Sequence, residues 1–236
     1  MKYFWIVNPF WFIAQGAYYL GQQLDKARRS TNPQWAPLPT VCVGNFQAGG
    51  TGKTPATRWI ANELAQKGYE PIILLRGYKG AATQSQLVRS NDATLYGDEA
   101  VLHAKHFPTI VGKDRLASCQ LALTVAKTEK PVLVLDDGLQ HYELKKDFSI
   151  VCQKNKRFEK DWLLPFGRLR EIPKPKVDAI ITQFEESGER VQSNWQGIPE
   201  FTFSRQITLI SGTKEPGLIA CGIALPNDFF YAVQKE

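Results

Sequence analysis

The residues best suited to chemistry form a glycine-rich loop, VGNFQAGGTGKTP, which follows an apolar run and precedes a helical pattern. The GKT at 52–54 matches the end of a phosphate-binding P-loop, in which the lysine reaches the β- and γ-phosphates and the hydroxyl binds Mg²⁺. Gln47 replaces the first glycine of the general pattern, but Gly49 and Gly50 still let the backbone bend around phosphate. The predicted nucleotide-binding residues are Gln47, Ala48, Gly49, Gly50, Thr51, Gly52, Lys53 and Thr54.

Acidic residues at two further places can complete such a site. Asp136 and Asp137 follow the apolar run VLVL, where an acid holds a metal or its water opposite the threonine. Asp98 and Glu99 begin a helical pattern in GDEAVL, where one carboxylate can take a proton from an attacking hydroxyl while the other attends the metal. Both pairs have a structural alternative, because acids at such positions also cap helices.

Arginines near the ends of predicted strands are candidates for binding an anionic substrate. Arg76 lies in LLRGYKG, Arg115 in GKDRLA, and Arg168 and Arg170 in PFGRLRE. In an open α/β sheet, the carboxyl ends of the strands face the ligand crevice, and arginine binds phosphate bidentately. The ordinary alternative is a solvated surface arginine.

The strands and helices that must position these residues are indicated by apolar runs that alternate with segments of helical periodicity. Strands are predicted at TVCVGN, PIILLR, PVLVLD, DFSIVC, VDAIIT and EFTFS. Helices are predicted behind the glycine loop, at 98–106 and at 113–128. Strands that are apolar on both faces and alternate with helices predict an α/β fold with a mostly parallel sheet and flanking helices. The Lys-, Arg- and Pro-rich segment 153–176 predicts an exposed loop.

The first thirty residues combine many aromatic side chains with Lys26, Arg28 and Arg29. Asn8, Pro9 and other polar or small residues interrupt the apolar run, which argues against a secretory signal or a membrane span. Aromatic residues followed by basic ones favour a helix in the membrane interface, with its cations facing anionic headgroups. A helix packed on the core of the domain is the alternative.

Composition narrows the classes of partner. The 236 residues are 43% hydrophobic and carry a net charge of +6, which suits phosphate-rich ligands, anionic lipids or nucleic acid. No aromatic-basic recognition motif supports a nucleic-acid partner. The scattered cysteines form no CxxC pair and predict reduced, buried thiols. The few histidines form no cluster with them, which argues against a zinc site.

Several motifs, in this order, resemble those of the tetraacyldisaccharide 4′-kinases of lipid A biosynthesis: VGNFQAGGTGKTP, LLRGYKG, GDEAVLHA, VGKDRLA, LDDGLQHYELKKDFSIV, LLPFGRLRE and CGIALPNDFF. The resemblance implies a P-loop NTPase-like fold that uses ATP and Mg²⁺. It implies transfer of the γ-phosphate to the 4′-hydroxyl of an acylated glucosamine disaccharide. It also implies a peripheral or monotopic location on the cytoplasmic face of the inner membrane of a Gram-negative bacterium.

Carried over by position, the resemblance assigns metal binding to Thr54, Glu99, Asp136 and Asp137. It assigns Lys53 and Asp98 to catalysis, with Asp98 as the base. His141 matches the histidine of the DDGxQH turn and is expected to be either catalytic or a structural hydrogen-bonding group. The substrate-binding candidates within the matching motifs are Arg76, Tyr78, Arg115, Arg168 and Arg170.

The family continues beyond the segment that matches the end of this sequence, with an FxDHHxY-like motif whose histidine partners the catalytic aspartate. The expected organisation is a membrane-interface helix at 1–30, a kinase domain at 31–200 and the start of a truncated α/β unit at 201–236. A base without its orienting partner is poorer, so we expect slower transfer from this chain. An incomplete final unit would also leave an apolar face exposed.

A membrane-peripheral P-loop NTPase that acts as a nucleotide switch is the main alternative function. Proteins of that kind carry a lysine at the start of the KGGxGKT run, where this chain has Ala48. Their membrane helix also tends to be C-terminal. Both features favour the kinase.

Overall fold

The computed structural model describes residues 9–154, 162–172, 177–184 and 197–204. It begins with a long helix, α1 (Pro9–Arg29), and a short strand, β1 (Gln34–Trp35). The elements that follow are β2 (Thr40–Gly44), α2 (Lys53–Gln66), β3 (Glu70–Leu75), β4 (Gln86–Leu87), α3 (Ala93–Tyr96), α4 (Asp98–Ala104), β5 (Thr109–Val111), α5 (Arg115–Val125), β6 (Pro131–Asp136), β7 (Leu144–Lys145), β8 (Phe148–Lys154), β9 (Ala179–Phe184) and β10 (Glu200–Ser204).

One eight-stranded sheet organises the chain, in the order β10-β9-β8-β2-β6-β3-β5-β4. Neighbouring strands pair in parallel, except that the edge strand β4 runs antiparallel to β5. A separate parallel pair joins β1 to β7. The predicted α/β fold with a mostly parallel sheet and flanking helices is confirmed.

Both faces of the sheet are covered by helices, which explains why its strands are apolar without alternation. Along β6, Val134 packs in a cluster with residues of α2 and α4, while Leu133 and Leu135 pack with residues of α5. All three side chains are completely buried. Successive strand residues point to opposite faces, so a strand between two helical layers requires apolar residues at every position.

Because these strands are parallel, their carboxyl ends lie along one edge of the sheet. The glycine loop follows β2, Asp137 follows β6 and Arg76 follows β3, and β6 lies between β2 and β3. The loop and the acids are therefore brought together at the edge where open α/β sheets bind ligands.

Some boundaries differ from the sequence predictions. The helix predicted at 113–128 ends at Val125, and the carboxylate of Glu70 accepts hydrogen bonds from the backbone N–H groups of Lys127 and Thr128 just beyond it. The strand predicted at EFTFS is confirmed as β10. It pairs with β9 in the main sheet, so the domain boundary predicted between residues 200 and 201 falls inside this strand. Residues 205–236 of the predicted C-terminal unit lie outside the described residues.

The prediction of an exposed loop at 153–176 is wrong for part of that segment. Gln153 and Lys154 complete β8, and Leu169 and Glu171 are buried, with 6% and 5% of their surface exposed. Leu169 forms an antiparallel bridge with Gln47 and packs against Phe46. The sequence did not predict this burial, because the basic and proline residues around Leu169 show no periodic pattern of apolar residues. Leu169 is buried by contacts with segments that are distant in sequence.

Helix α1 lies against the segment around Leu169 and contacts it through polar side chains and one aromatic pair, in which the ring centroids of Phe12 and Trp162 lie 6.3 Å apart. Tyr18 and Gln22 donate hydrogen bonds to the carbonyl of Arg170, and Lys26 forms an ion pair with Glu171. Within the described residues, no helix combines the length and the apolar character needed to cross a membrane.

Candidate functional site

The glycine loop joins β2 to α2 and leaves the start of α2 open. Gly52 precedes the helix with φ of 83°, and Gly49 has φ of 109°, conformations that favour glycine. No side chain caps this helix, so its first N–H groups and its dipole can bind an anion. Inside the loop, the buried amide of Asn45 donates a hydrogen bond to the hydroxyl of Thr51 at 2.7 Å, which holds the bend in shape.

The segment around Leu169 braces the loop from outside. The backbone N–H of Ala48 donates to the carbonyl of Arg168 at 2.7 Å, and that of Arg170 donates to the carbonyl of Phe46 at 2.8 Å. Arg168 is exposed and lines a cavity of about 120 Å³ together with Lys154 and the loop residues Gln47, Ala48, Gly49, Gly50 and Thr51. Five of the predicted nucleotide-binding residues therefore line the same cavity as Arg168, which is a predicted substrate-binding residue.

The two aspartates after β6 differ in environment. Asp136 is 2% exposed, and its Oδ2 lies 2.9 Å from Nε2 of His103. Asp137 has φ of 59°, accepts two hydrogen bonds from Arg170 at 2.8 and 3.0 Å, and lies 3.7 Å from Nζ of Lys53. Neither carboxylate caps a helix, so the structural alternative raised by the sequence does not apply.

Lysine and arginine also keep Asp137 ionised. Burial by itself raises the pKa of its carboxyl group, but the charges of Lys53 and Arg170 outweigh burial and hold that pKa below its usual value. Asp137 therefore offers a negative charge at the mouth of the loop.

Glu99 completes the cluster from α4. Its carboxylate accepts a hydrogen bond from the hydroxyl of Thr54 at 3.5 Å. Desolvation and the charge of Asp136 raise the pKa of Glu99, although Lys53 opposes them. A bound cation would reduce the repulsion between these closely spaced carboxylates. Carboxylates with raised pKa values are typical of functional sites.

The oxygen-rich cluster fits Mg²⁺. Among the residues that the structure describes, no group of three or more His, Cys, Asp or Glu side chains is arranged to hold a metal alone. Mg²⁺ does not require one, because it keeps several waters and binds nucleotide phosphates as well. Oδ1 of Asp136 is buried and has no hydrogen-bond partner among the described residues, which suits an oxygen that faces a metal or its water.

Asp98 is the first residue of α4, and Gly97 occupies the N-cap position without a side-chain cap. This removes the capping explanation for Asp98, whose side chain is exposed beside Glu99. The loop after β3 approaches it closely: a Cβ at Gly97 would lie 2.5 Å from the carbonyl oxygen of Tyr78. Tyr78 is itself 72% exposed, and Arg76 is exposed at the same edge of the sheet.

Arg115 is buried in this structure, unlike the accessible position expected of a substrate-binding residue, so its role in substrate binding stays a prediction. Its side chain is completely buried at the start of α5, and Nη1 donates to the carbonyl of Gly112 at 2.9 Å. Burial lowers its pKa to about 10, which leaves it charged at neutral pH, and the charge of Asp137 opposes that shift. Arg115 is therefore an internal cation near the acids: α5 begins just after the carboxyl end of β5, but the side chain of Arg115 is turned into the protein.

His141 pairs within its own turn. Its Nδ1 lies 3.1 Å from Oε1 of Glu143, and its backbone N–H donates to the carbonyl of Gly138. Burial and the charge of Arg115 lower its pKa, so the ring is neutral at neutral pH. The geometry favours the structural hydrogen bond over catalysis, and a catalytic role stays a prediction.

Two buried polar residues next to the site were missed by the sequence analysis. His103 follows Glu99 by four residues, a helical spacing that places both on one face of α4 and was a usable signal. Glu171 accepts hydrogen bonds from Gln140 and Tyr142 besides its ion pair with α1. Gln140 also donates to the carbonyl of Asn45, directly before the loop. Nothing in the local pattern signals these long-range contacts.

Comparison with known proteins identifies the family. The family model described as tetraacyldisaccharide-1-P 4′-kinase matches residues 4–236. A tetraacyldisaccharide 4′-kinase from Haemophilus influenzae is 32% identical over 252 residues, which cover 99% of this chain and 72% of that protein. The enzyme of that name from Aromatoleum aromaticum is 44% identical over 140 residues, which cover 58% of this chain and 41% of that protein.

Among solved structures, LpxK from Aquifex aeolicus, crystallised in complex with ATP, superposes with a TM-score of 0.71 at 30% identity. The match covers 81% of this chain and 62% of the Aquifex chain. The chain thus spans less than two-thirds of the length of the Aromatoleum protein and of the Aquifex chain. Because the family model matches almost the whole chain, the chain belongs to the tetraacyldisaccharide 4′-kinase family.

Proposed function

We propose that the protein transfers the γ-phosphate of ATP to the 4′-hydroxyl of a tetraacylated glucosamine disaccharide 1-phosphate. The observation that carries the proposal is the meeting of Lys53 with Asp137 at 3.7 Å and of Thr54 with Glu99 at 3.5 Å. These contacts bring a phosphate-binding cation, a metal-binding hydroxyl and the acids to one edge of the sheet. Family membership and the ATP complex of the Aquifex relative support the choice of nucleotide and reaction.

Each group has a role that its position supports. Lys53 and the open N-terminus of α2 bind the β- and γ-phosphates. Thr54, Glu99, Asp136 and Asp137 hold Mg²⁺, directly or through its waters. When bound, Mg²⁺ neutralises the charge that develops on the transferring phosphoryl group.

Asp98 is the proposed base. It accepts the proton of the 4′-hydroxyl while that oxygen forms a bond to the γ-phosphorus and the bond to the bridging β–γ oxygen breaks, which releases ADP. The exposed position of Asp98 at the start of α4 leaves room for an acceptor. Tyr78 and Arg76, on the neighbouring loop, are proposed to contact the acceptor, and Arg168 and Arg170 to contact phosphate groups.

We propose that α1 binds the cytoplasmic face of the inner membrane. The helix turns polar residues toward the protein and leaves Ile13, Leu20 and Leu24 exposed at 68%, 59% and 63%. Basic residues follow in its last turn. An apolar face that points away from the protein, with adjacent cations, suits insertion into an anionic interface. A lipid acceptor remains in the bilayer, so the enzyme must approach it there.

The test is transfer of radiolabelled phosphate from ATP to the purified lipid disaccharide in detergent, with this chain and with a chain extended to the length of its relatives. We expect Mg²⁺-dependent transfer, and Asp98→Asn should lower kcat while leaving ATP binding unchanged. Equal loss of ATP binding and transfer would reassign Asp98 to the nucleotide or metal site. ATP hydrolysis without transfer by the extended chain would favour the nucleotide switch.

A further inference from the structure

Buried beside the acids, His103 makes a contact that the proposed reaction does not use. It is completely buried on α4, and its Nε2 lies 2.9 Å from Oδ2 of Asp136. An ionised carboxylate can only accept hydrogen bonds, so the ring nitrogen is the donor. The bond joins α4 to the end of β6 at the floor of the site.

This bond makes the two oxygens of Asp136 unequal. Oδ2 is occupied by His103, while Oδ1 is buried without a hydrogen-bond partner in the part of the chain that the structure describes. The carboxylate can rotate about its terminal bond, and a donor fixed to one oxygen determines where the other points. Buried polar atoms are nearly always paired, so the unpaired Oδ1 of Asp136, beside Glu99 and Lys53, is suited to a metal ion or its water.

The helical spacing strengthens the link to the metal site. Glu99 and His103 lie four residues apart on α4, so the helix presents both from one face. Glu99 contacts the hydroxyl of Thr54, and His103 contacts Asp136. One rigid turn therefore sets the distance between groups that come from three separate elements.

We infer that His103 is a positioning residue, which holds Asp136 so that Oδ1 faces the Mg²⁺ of a bound nucleotide. The inference rests on the proposed nucleotide site and adds a residue to it. Outer groups that hydrogen-bond a metal-binding carboxylate fix its orientation, and their loss typically lowers metal affinity by about 10- to 100-fold.

The test measures Mg²⁺-dependent binding of a fluorescent ATP analogue, which needs no lipid acceptor. His103→Leu keeps an apolar side chain of similar size but has no donor. We expect it to raise the Mg²⁺ concentration for half-maximal binding by about tenfold. Binding of the analogue without metal should stay unchanged. His103→Gln places an amide nitrogen near the position of Nε2 and should restore most of the Mg²⁺ dependence.

Several outcomes would overturn the inference. Among them are a wild-type Mg²⁺ dependence in His103→Leu, an equal loss of affinity with and without metal, and the same defect in the Leu and Gln variants. Should His103→Leu show no thermal unfolding transition, His103→Gln and His103→Asn replace it. The Asn amide is too short to reach Asp136, so equal behaviour of these two variants contradicts the inference. Failure of the wild-type chain to bind the analogue at all would instead count against the proposed function.

Discussion

The central sheet and helix α1 bury opposite kinds of residue. In the sheet, β6 presents apolar side chains to helices on both faces, and its polar groups appear only at its carboxyl end. In α1, Tyr18, Gln22 and Lys26 face the protein while Ile13, Leu20 and Leu24 stay exposed. The sheet is organised by the hydrophobic effect in water, whereas α1 suits a boundary with an apolar phase on its outer side.

The two regions also differ in how they are linked to the site. The loop and the acids belong to the strands themselves, so the sheet positions them directly. Helix α1 reaches the site through Glu171 and Gln140, which end at the carbonyl of Asn45. Changes in the first region should affect chemistry, and changes in the second should affect attachment.

The largest effect is expected at the sheet edge. Lys53→Ala removes the cation proposed to bind the β- and γ-phosphates, and we expect transfer to fall by about two to three orders of magnitude. The fold should be retained, because Lys53 belongs to no hydrophobic cluster and Arg170 still pairs with Asp137 when the lysine is removed. Phosphate transfer and thermal unfolding measure the two effects. Lys67→Ala, at an exposed lysine after the same helix, is the matched control. Full turnover in Lys53→Ala would contradict the phosphate-binding role.

A smaller effect, confined to attachment, is expected on α1. Replacing Ile13 and Leu20 with serine removes apolar groups worth about 1.5–3 kcal/mol each when fully buried, so binding to anionic phospholipid vesicles should weaken at least tenfold. Co-sedimentation with vesicles measures this, and ATP binding should be unchanged. Leu123→Ser, on the exposed side of α5, is the control. Unchanged sedimentation of the double variant would show that α1 does not bind the bilayer.

The link between the two regions can be weakened by Glu171→Gln. Lys26 then loses the charge of its buried partner, at a cost of about 1–3 kcal/mol, and α1 should detach more often. Faster tryptic cleavage after Lys26, Arg28 and Arg29 measures detachment. Asp25→Asn makes the same change in an exposed pair with Arg29 and should have little effect. Equal cleavage rates for Glu171→Gln and wild type would show that Glu171 does not hold α1 against the protein.

The smallest effect is expected at Glu99, in the absence of Mg²⁺. Its folded-state pKa is raised, so the folded state binds the proton more tightly and loses stability as pH rises through the range above 4.5. Glu99→Gln should therefore raise the Tm near pH 8 relative to wild type, and the gain should vanish toward about pH 4. Thermal unfolding across this range tests the sign. A gain that grows toward acid pH would contradict the crowding of Glu99 by the other acids.

The sequence predicted those parts of the site that follow from local patterns and from the parallel order of the strands. Strand, loop and helix signals around 40–66 are contiguous, and the acids follow an apolar strand, so parallel pairing alone brings them together. The burial of Arg115 was not predicted because GKDRLA carries no signal that its arginine side chain turns inward, to the carbonyl of Gly112. Leu169 and Glu171 were assigned to an exposed loop because their burial depends on contacts with distant segments.

By itself, the sequence determined the α/β class, the P-loop and the acidic pairs, because periodicity and short motifs are properties of neighbouring residues. Only the tertiary structure decided that His103 lies against Asp136 and that α1 turns its polar side inward. It also decided that Arg170 binds Asp137, 33 residues away. Such contacts depend on how elements pack, and packing joins residues whose separation along the chain carries no local signal.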